Sequence, residues 1–186
     1  MPKPLLIAWL SLLPMLPVPA DTPPEPADQA RAAMSEFGQR LRERLVTTMQ
    51  AEGPVAAIAV CQDEAPLIAR EVGAKHGVTL GRTALAVRNP RNQPTVWQTA
   101  LLERFDAAWR AGEQVLEEAL PPPAGSSTPY RHVRAIRIEG PCLVCHGQQL
   151  SEAVAAALAE RYPLDLASGY REGDFRGLMW AEVPAR

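Results

Sequence analysis

No apolar run in this chain is long enough to cross a bilayer. The candidate, residues 5–13 (LLIAWLSLL), stops at Pro14, whereas a spanning helix needs about 20 such residues. With Lys3 ahead of it and Val18-Pro19-Ala20 behind it, residues 1–20 instead read as a secretory signal peptide cut between Ala20 and Asp21. Cysteine is missing near the cut, which excludes a lipid-modified N-terminus, so the mature protein is expected to be soluble and periplasmic. A cationic surplus is missing too. Of 19 Lys and Arg against 21 Asp and Glu, Lys3 leaves with the signal, and the mature chain carries a net charge of −3. Nucleic-acid binders show the opposite balance, so nucleic acid is excluded as a partner. Internal repeats are absent, and no arranged acid–base pair is visible, so the chain is expected not to be an enzyme.

What is present reads as one domain over residues 29–186, after a Pro-rich acidic tether at 21–28 (DTPPEPAD) that has too little apolar surface to pack. Met34, Phe37, Leu41, Leu45 and Met49 recur at steps of three and four, one face of an amphipathic helix that begins near Ala30. Gly53-Pro54 ends it and begins another, in which Ile58, Cys61, Ala65, Ile68 and Val72 keep the same spacing and place Cys61 in the core. Residues 78–87 have strand character. Residues 88–94 (RNPRNQP) form a turn, and Pro94 suits the first turn of a helix to Ala111 with Trp97, Leu101, Phe105 and Ala108 inward. A loop at 121–129, a strand at 130–139, a helix at 151–161 and a strand at 175–183 complete the chain, with Phe175, Met179 and Val183 on one face of the last strand. Helices mixed with non-consecutive strands indicate an α+β fold with an antiparallel sheet.

Cysteine and histidine number three each, and half of them fall in one pentapeptide. Cys142-Leu143-Val144-Cys145-His146 is the C-x-x-C-H pattern of c-type haem attachment. Two cysteines three positions apart present their sulfurs to the two vinyl groups on one porphyrin edge, and the next residue supplies an imidazole to the iron. Export provides the compartment where that attachment occurs. A thiol redox pair would need a strand-to-helix setting, whereas the motif here follows Gly140-Pro141. A zinc site of Cys61, Cys142, Cys145 and His146 would strain the adjacent Cys145 and His146 toward one tetrahedral ion.

The second axial position decides what the haem does, and its candidates are Cys61, His132, His76, Met34, Met49, Met179, water or nothing. Methionines on apolar stripes usually fill core space. His76 sits near a helix end, where histidines cap carbonyls. His132 shares a strand face with Ile136 and Ile138 and is the main rival to Cys61, whose alternative role is a packed thiol. Spacing leaves the choice open. Arg88, Arg131, Arg134 and Arg176 are candidates to neutralise propionates, although most arginines are solvated surface charge.

Ala59-Val60-Cys61, Ala65-Pro66, Gly81-Arg82-Thr83, Arg88-Asn89-Pro90, Asn92, Pro94, Trp97, the C-x-x-C-H motif, Gly169-Tyr170, Gly173-Asp174 and Arg176-Gly177 are also present. With them the chain resembles the periplasmic haem-c sensor-type family of PAS-like fold, over about residues 37–183. The resemblance implies an antiparallel PAS-like sheet with flanking helices and a single haem c, with His146 as fifth ligand and Cys61 as sixth. Tyr170 lies near the haem by the same resemblance. Family domains often precede a transmitter, so a signal from this chain is expected to pass to a separate redox or signalling partner. The expected roles are redox sensing, with a small diatomic gas as a further ligand, or plain electron transfer.

Overall fold

The computed structural model describes residues 24–185, so the expected signal peptide lies outside the described residues. Helix α1 spans Pro26–Glu52 and buries Ala30, Ala33, Met34, Phe37 and Leu41 along one stripe. It begins four residues before Ala30 because Pro26 occupies the first helical turn, where its missing N–H and fixed φ cost nothing. The last three residues of the expected tether are therefore helical. Gly53, at φ 86°, ends α1 and leads into α2, Pro54–Ala59.

The expected continuous helix through Cys61 is interrupted. Val60–Glu64 forms a π turn, and α3 follows over Ala65–His76. Pro66 has no N–H to give to the carbonyl of Gln62, and the Ala65 N–H reaches back to Val60 O instead. A bidentate pair from Arg44 to Glu64, at 2.6 and 2.9 Å, ties this turn to α1.

Strand β1 is Thr79–Thr83, shorter than the expected 78–87. Helix α4 covers Val96–Arg110. It starts after Pro94 because Thr95 and Gln98 form a capping box, a stronger start signal than proline alone. Strand β2, Glu117–Leu120, was not expected, since its residues EEAL carry little strand propensity. Strand β3 is Tyr130–Arg137, one-turn helix α5 is Leu143–His146, α6 is Glu152–Arg161 and β4 is Phe175–Val183.

The four strands form one antiparallel sheet in the order β1-β4-β3-β2, as the α+β reading expected. One face packs on α1 and α3 through Met34, Phe37, Val72, Leu80, Ala181 and Val183. The other packs on α4 through Leu102, Phe105, Val133 and Leu178. A smaller cluster joins Ile58 of α2 to Val154, Leu158 and Tyr162.

Phe175 does not share a face with Met179 and Val183. Ile136 pairs with Gly177 and Arg137 with Phe175, so Arg176 is an extra, bulged residue. A bulge reverses the alternation of side chains beyond it, and Phe175 joins the α4 core while Met179 and Val183 face α1. Gly177, at φ 149°, makes the bulge fit: a Cβ there would lie 2.3 Å from Thr83 O and 2.8 Å from Ala84 Cβ. Gly177→Ala is therefore expected to destabilise the protein by about 2 kcal/mol or more, read as a lower urea midpoint with an unchanged slope.

Candidate haem site

The turn Gly140–Cys142 passes directly into α5, so the pentapeptide is wound tightly. Gly147 closes it, and a Cβ at that position would lie 2.5 Å from Leu143 O. A loop after α6 brackets the same turn. Tyr170 N–H donates to His146 O and Gly169 N–H to Gly147 O, both at 3.0 Å.

His146 is aimed by that loop. Its Nδ1 lies 2.6 Å from Ala167 O, and a carbonyl only accepts, so Nδ1 carries the proton and Nε2 keeps a lone pair. Burial, helped by Arg176 and Arg88, pushes the imidazole down to about 3, so the ring is neutral at pH 7 and ready to ligate a metal. The Tyr170 ring stands edge-on to it at 6.4 Å.

Arg88 fastens the loop to the motif. It is 8% exposed and donates to Cys145 O at 2.6 Å and Ala167 O at 3.0 Å, while Asp165 faces it at 2.9 Å. Its Nε is buried without a partner among the described residues.

Cys142, Cys145, His146 and Cys61 all line one cavity of about 190 Å³. Leu45, Met49, Ile58, Ala84, Ile136 and Ile138 supply apolar walls, and Arg82, Arg88, Arg137 and Arg176 also line it. Only Arg88 of these four has a carboxylate partner among the described residues, so the cavity holds more positive than negative charge. Arg176 reaches in from the bulge of β4, donates to Ala86 O at 3.1 Å and covers the Tyr170 ring at 5.5 Å. Burial lowers its pKa and raises those of Cys145 and Tyr162, the latter to about 12. All three cysteines are free and half-buried, which corrects the expectation that Cys61 is a core residue: the π turn gives it to the cavity wall.

An apolar slot with two thiols, an imidazole, a further thiol and unbalanced guanidinium groups suits a flat metallo-porphyrin bearing two carboxylates. It does not suit zinc, because among the described residues no three His, Cys, Asp or Glu side chains gather around one point.

The rivals of Cys61 lie elsewhere, Met49 excepted. His132 is buried as expected but belongs to the far end of β3, with Nδ1 3.2 Å from Tyr130 Oη and Nε2 3.5 Å from Glu117. It lies four residues from Ile136, about 13 Å along the strand. His76 pairs with Glu36 at 2.8 Å through its ring, rather than capping carbonyls. Met34 and Met179 pack against the α1 face. Met49 lines the cavity and is not solely a packing residue. Arg131 and Arg134 do not line the cavity and pair instead with Glu182 and Glu117. Sequence reasoning missed Arg82 and Arg137. The Gly81-Arg82-Thr83 triplet carried the signal for Arg82, and strand alternation alone gave none for Arg137.

Arg88→Met would leave the largely buried Asp165 without its cation. The expected loss is about 3 kcal/mol by urea unfolding, with part of it recovered in the double variant Arg88→Met, Asp165→Leu.

Among the described residues no helix is long and apolar enough to cross a membrane. No curated protein is a significant match to the sequence. Among solved structures, the chain is similar to the crystal structure of the cyanobacterial haem protein Tll0287, with a TM-score of 0.64 and 27% identity over 84% of this chain and 92% of that one. A family model described as Tll0287-like matches residues 23–184, and the chain belongs to that family.

Proposed function

We propose that the protein is an exported, non-enzymatic haem-c sensor of redox state. In this reading Cys142 and Cys145 would hold the haem covalently, and His146 and Cys61 would ligate its iron. The observation that carries it is the convergence of Cys61, from a π turn eighty residues upstream, on the cavity that the C-x-x-C-H motif lines. The similarity to a haem protein adds to it.

Bound haem c supplies a one-electron iron couple. Cys142 and Cys145 would hold the haem through their sulfur atoms, one on each of its two vinyl groups. His146 presents Nε2 because Ala167 holds Nδ1–H, an outer-shell bond that fixes tautomer and direction. Cys61, as thiolate, donates electron density and favours the oxidised state. Arg82, Arg137 and Arg176 offset the carboxylates.

Sensing rests on the π turn. Cys61 would be held when the iron is oxidised and released when it is reduced, which would make the turn a two-state element and leave its position open to a small diatomic gas. A separate partner protein reads the change. Residues 1–20 provide export.

The test is absorption spectroscopy of wild type and Cys61→Ala, ferric and dithionite-reduced, matured in a host that attaches haem c. A low-spin thiolate-type ferric spectrum is expected, lost in Cys61→Ala, together with a change of coordination on reduction of wild type. Cys142→Ser with Cys145→Ser is expected to lose haem that resists acid–acetone extraction. Six-coordinate low-spin iron in both oxidation states would make the protein an electron carrier instead, and identical spectra for the two proteins would remove Cys61 as ligand.

A further inference from the structure

Strand β1 is at the edge of the sheet. It pairs with β4 on one side, and among the described residues its backbone, Thr79–Thr83, makes no backbone hydrogen bond beyond that ladder. An edge of this kind displays a row of unpaired N–H and C=O groups that a further strand can satisfy.

The edge lies in a groove. A cleft of about 560 Å³ follows every residue of β1, with α3 as one wall and residues 89–98 as the other. Gly81 allows the indole of Trp180 to lie against the strand, since a Cβ there would sit 3.0 Å from the ring. Trp97 meets Trp180 edge to face at 6.4 Å, and Arg131 covers Trp97 at 4.5 Å. The result is a rigid aromatic floor beside an unsatisfied strand, about 17 Å long at the usual rise per residue.

Charge selects the occupant. Arg70 on the α3 wall and Arg91 on the opposite wall are exposed, and neither has a carboxylate partner among the described residues. Glu182 is the one carboxylate in the lining, and Arg131 neutralises it at 2.8 Å. We propose that the free edge of β1 captures an extended, acidic segment of a partner protein by strand addition. Main-chain hydrogen bonds would give affinity, the tryptophans would receive alternate side chains, and the two rim arginines would select for carboxylates. This inference does not depend on the haem reading, although Cys61 and Arg82 line both cavities.

The probe is a blocked nine-residue peptide of alternating glutamate and valine. It is titrated into the exported full chain with tryptophan fluorescence and calorimetry as readouts. Saturable binding is expected. Binding should weaken about tenfold or more when lysine replaces glutamate, and equally when a central proline removes a strand donor. Arg70→Glu with Arg91→Glu, both exposed and outside the core, should weaken the acidic peptide by a similar factor and strengthen the lysine peptide, with an unchanged circular dichroism spectrum. Absence of saturable binding up to about 1 mM would overturn the proposal. So would equal binding of the proline-containing peptide, or self-association of the chain that the double variant abolishes, which would make the occupant a second copy.

Discussion

A guanidinium group that is almost fully buried must find partners for its charge or be expelled, because the desolvation cost of a lone buried ion is several kcal/mol. Arg88 finds them in three places: the carbonyls of Cys145 and Ala167 and the carboxylate of Asp165. Those partners belong to two segments that are otherwise short and irregular, the α5 turn and the loop after α6. Ala167 O accepts from both Arg88 and His146, and the Asp165 carboxylate also receives the Ala167 N–H at 2.7 Å. The direction of the His146 ring therefore depends on a residue nearly sixty positions away in sequence. If Arg88 is withdrawn, the loop loses its anchor and the imidazole loses the fixed carbonyl that sets its tautomer.

Around that anchor, the site is shaped by departures from regular secondary structure. The π turn before Pro66 brings Cys61 to the cavity wall. The bulge at Arg176 turns one strand residue toward the cavity and sends Phe175 to the opposite core. Such irregularities recur at functional sites because they re-aim single side chains without disturbing the elements on either side. Here each has a local cause in the sequence: Pro66, which lacks a donor, and Gly177, which alone fits against Thr83 and Ala84.

The periodic parts of the fold were legible in the residues. The α1 stripe, the α3 stripe, the inward residues Leu101 and Phe105 of α4 and the span of β4 follow from spacing and are found in place. The C-x-x-C-H motif was legible as a candidate site, and the structure places its three residues at one cavity with Cys61. What was not legible has physical reasons. β2 has weak propensity and exists through its pairing with β3. The face of Phe175 depends on a bulge, and a period-two pattern cannot register an extra residue. His132 was read correctly as buried, but burial says nothing about which end of a strand a residue occupies. Arg82 and Arg137 acquire meaning only when β1 and β3 are brought to the same cavity.

The strand order has a consequence for how the chain comes to its final state. β1 lies beside β4, so among the described residues, residues 79–83 find their strand partners in residues 178–182, and β4 also separates β1 from β3. Closing a loop of about one hundred residues carries an entropy cost that must be met before either sheet core is complete. For a chain that emerges N-terminus first, the central strand arrives last. Cys142 to His146 emerge about thirty residues ahead of Phe175, while the sheet is still unclosed. Late closure by β4 then leaves the burial of Arg176 until after the pentapeptide has emerged.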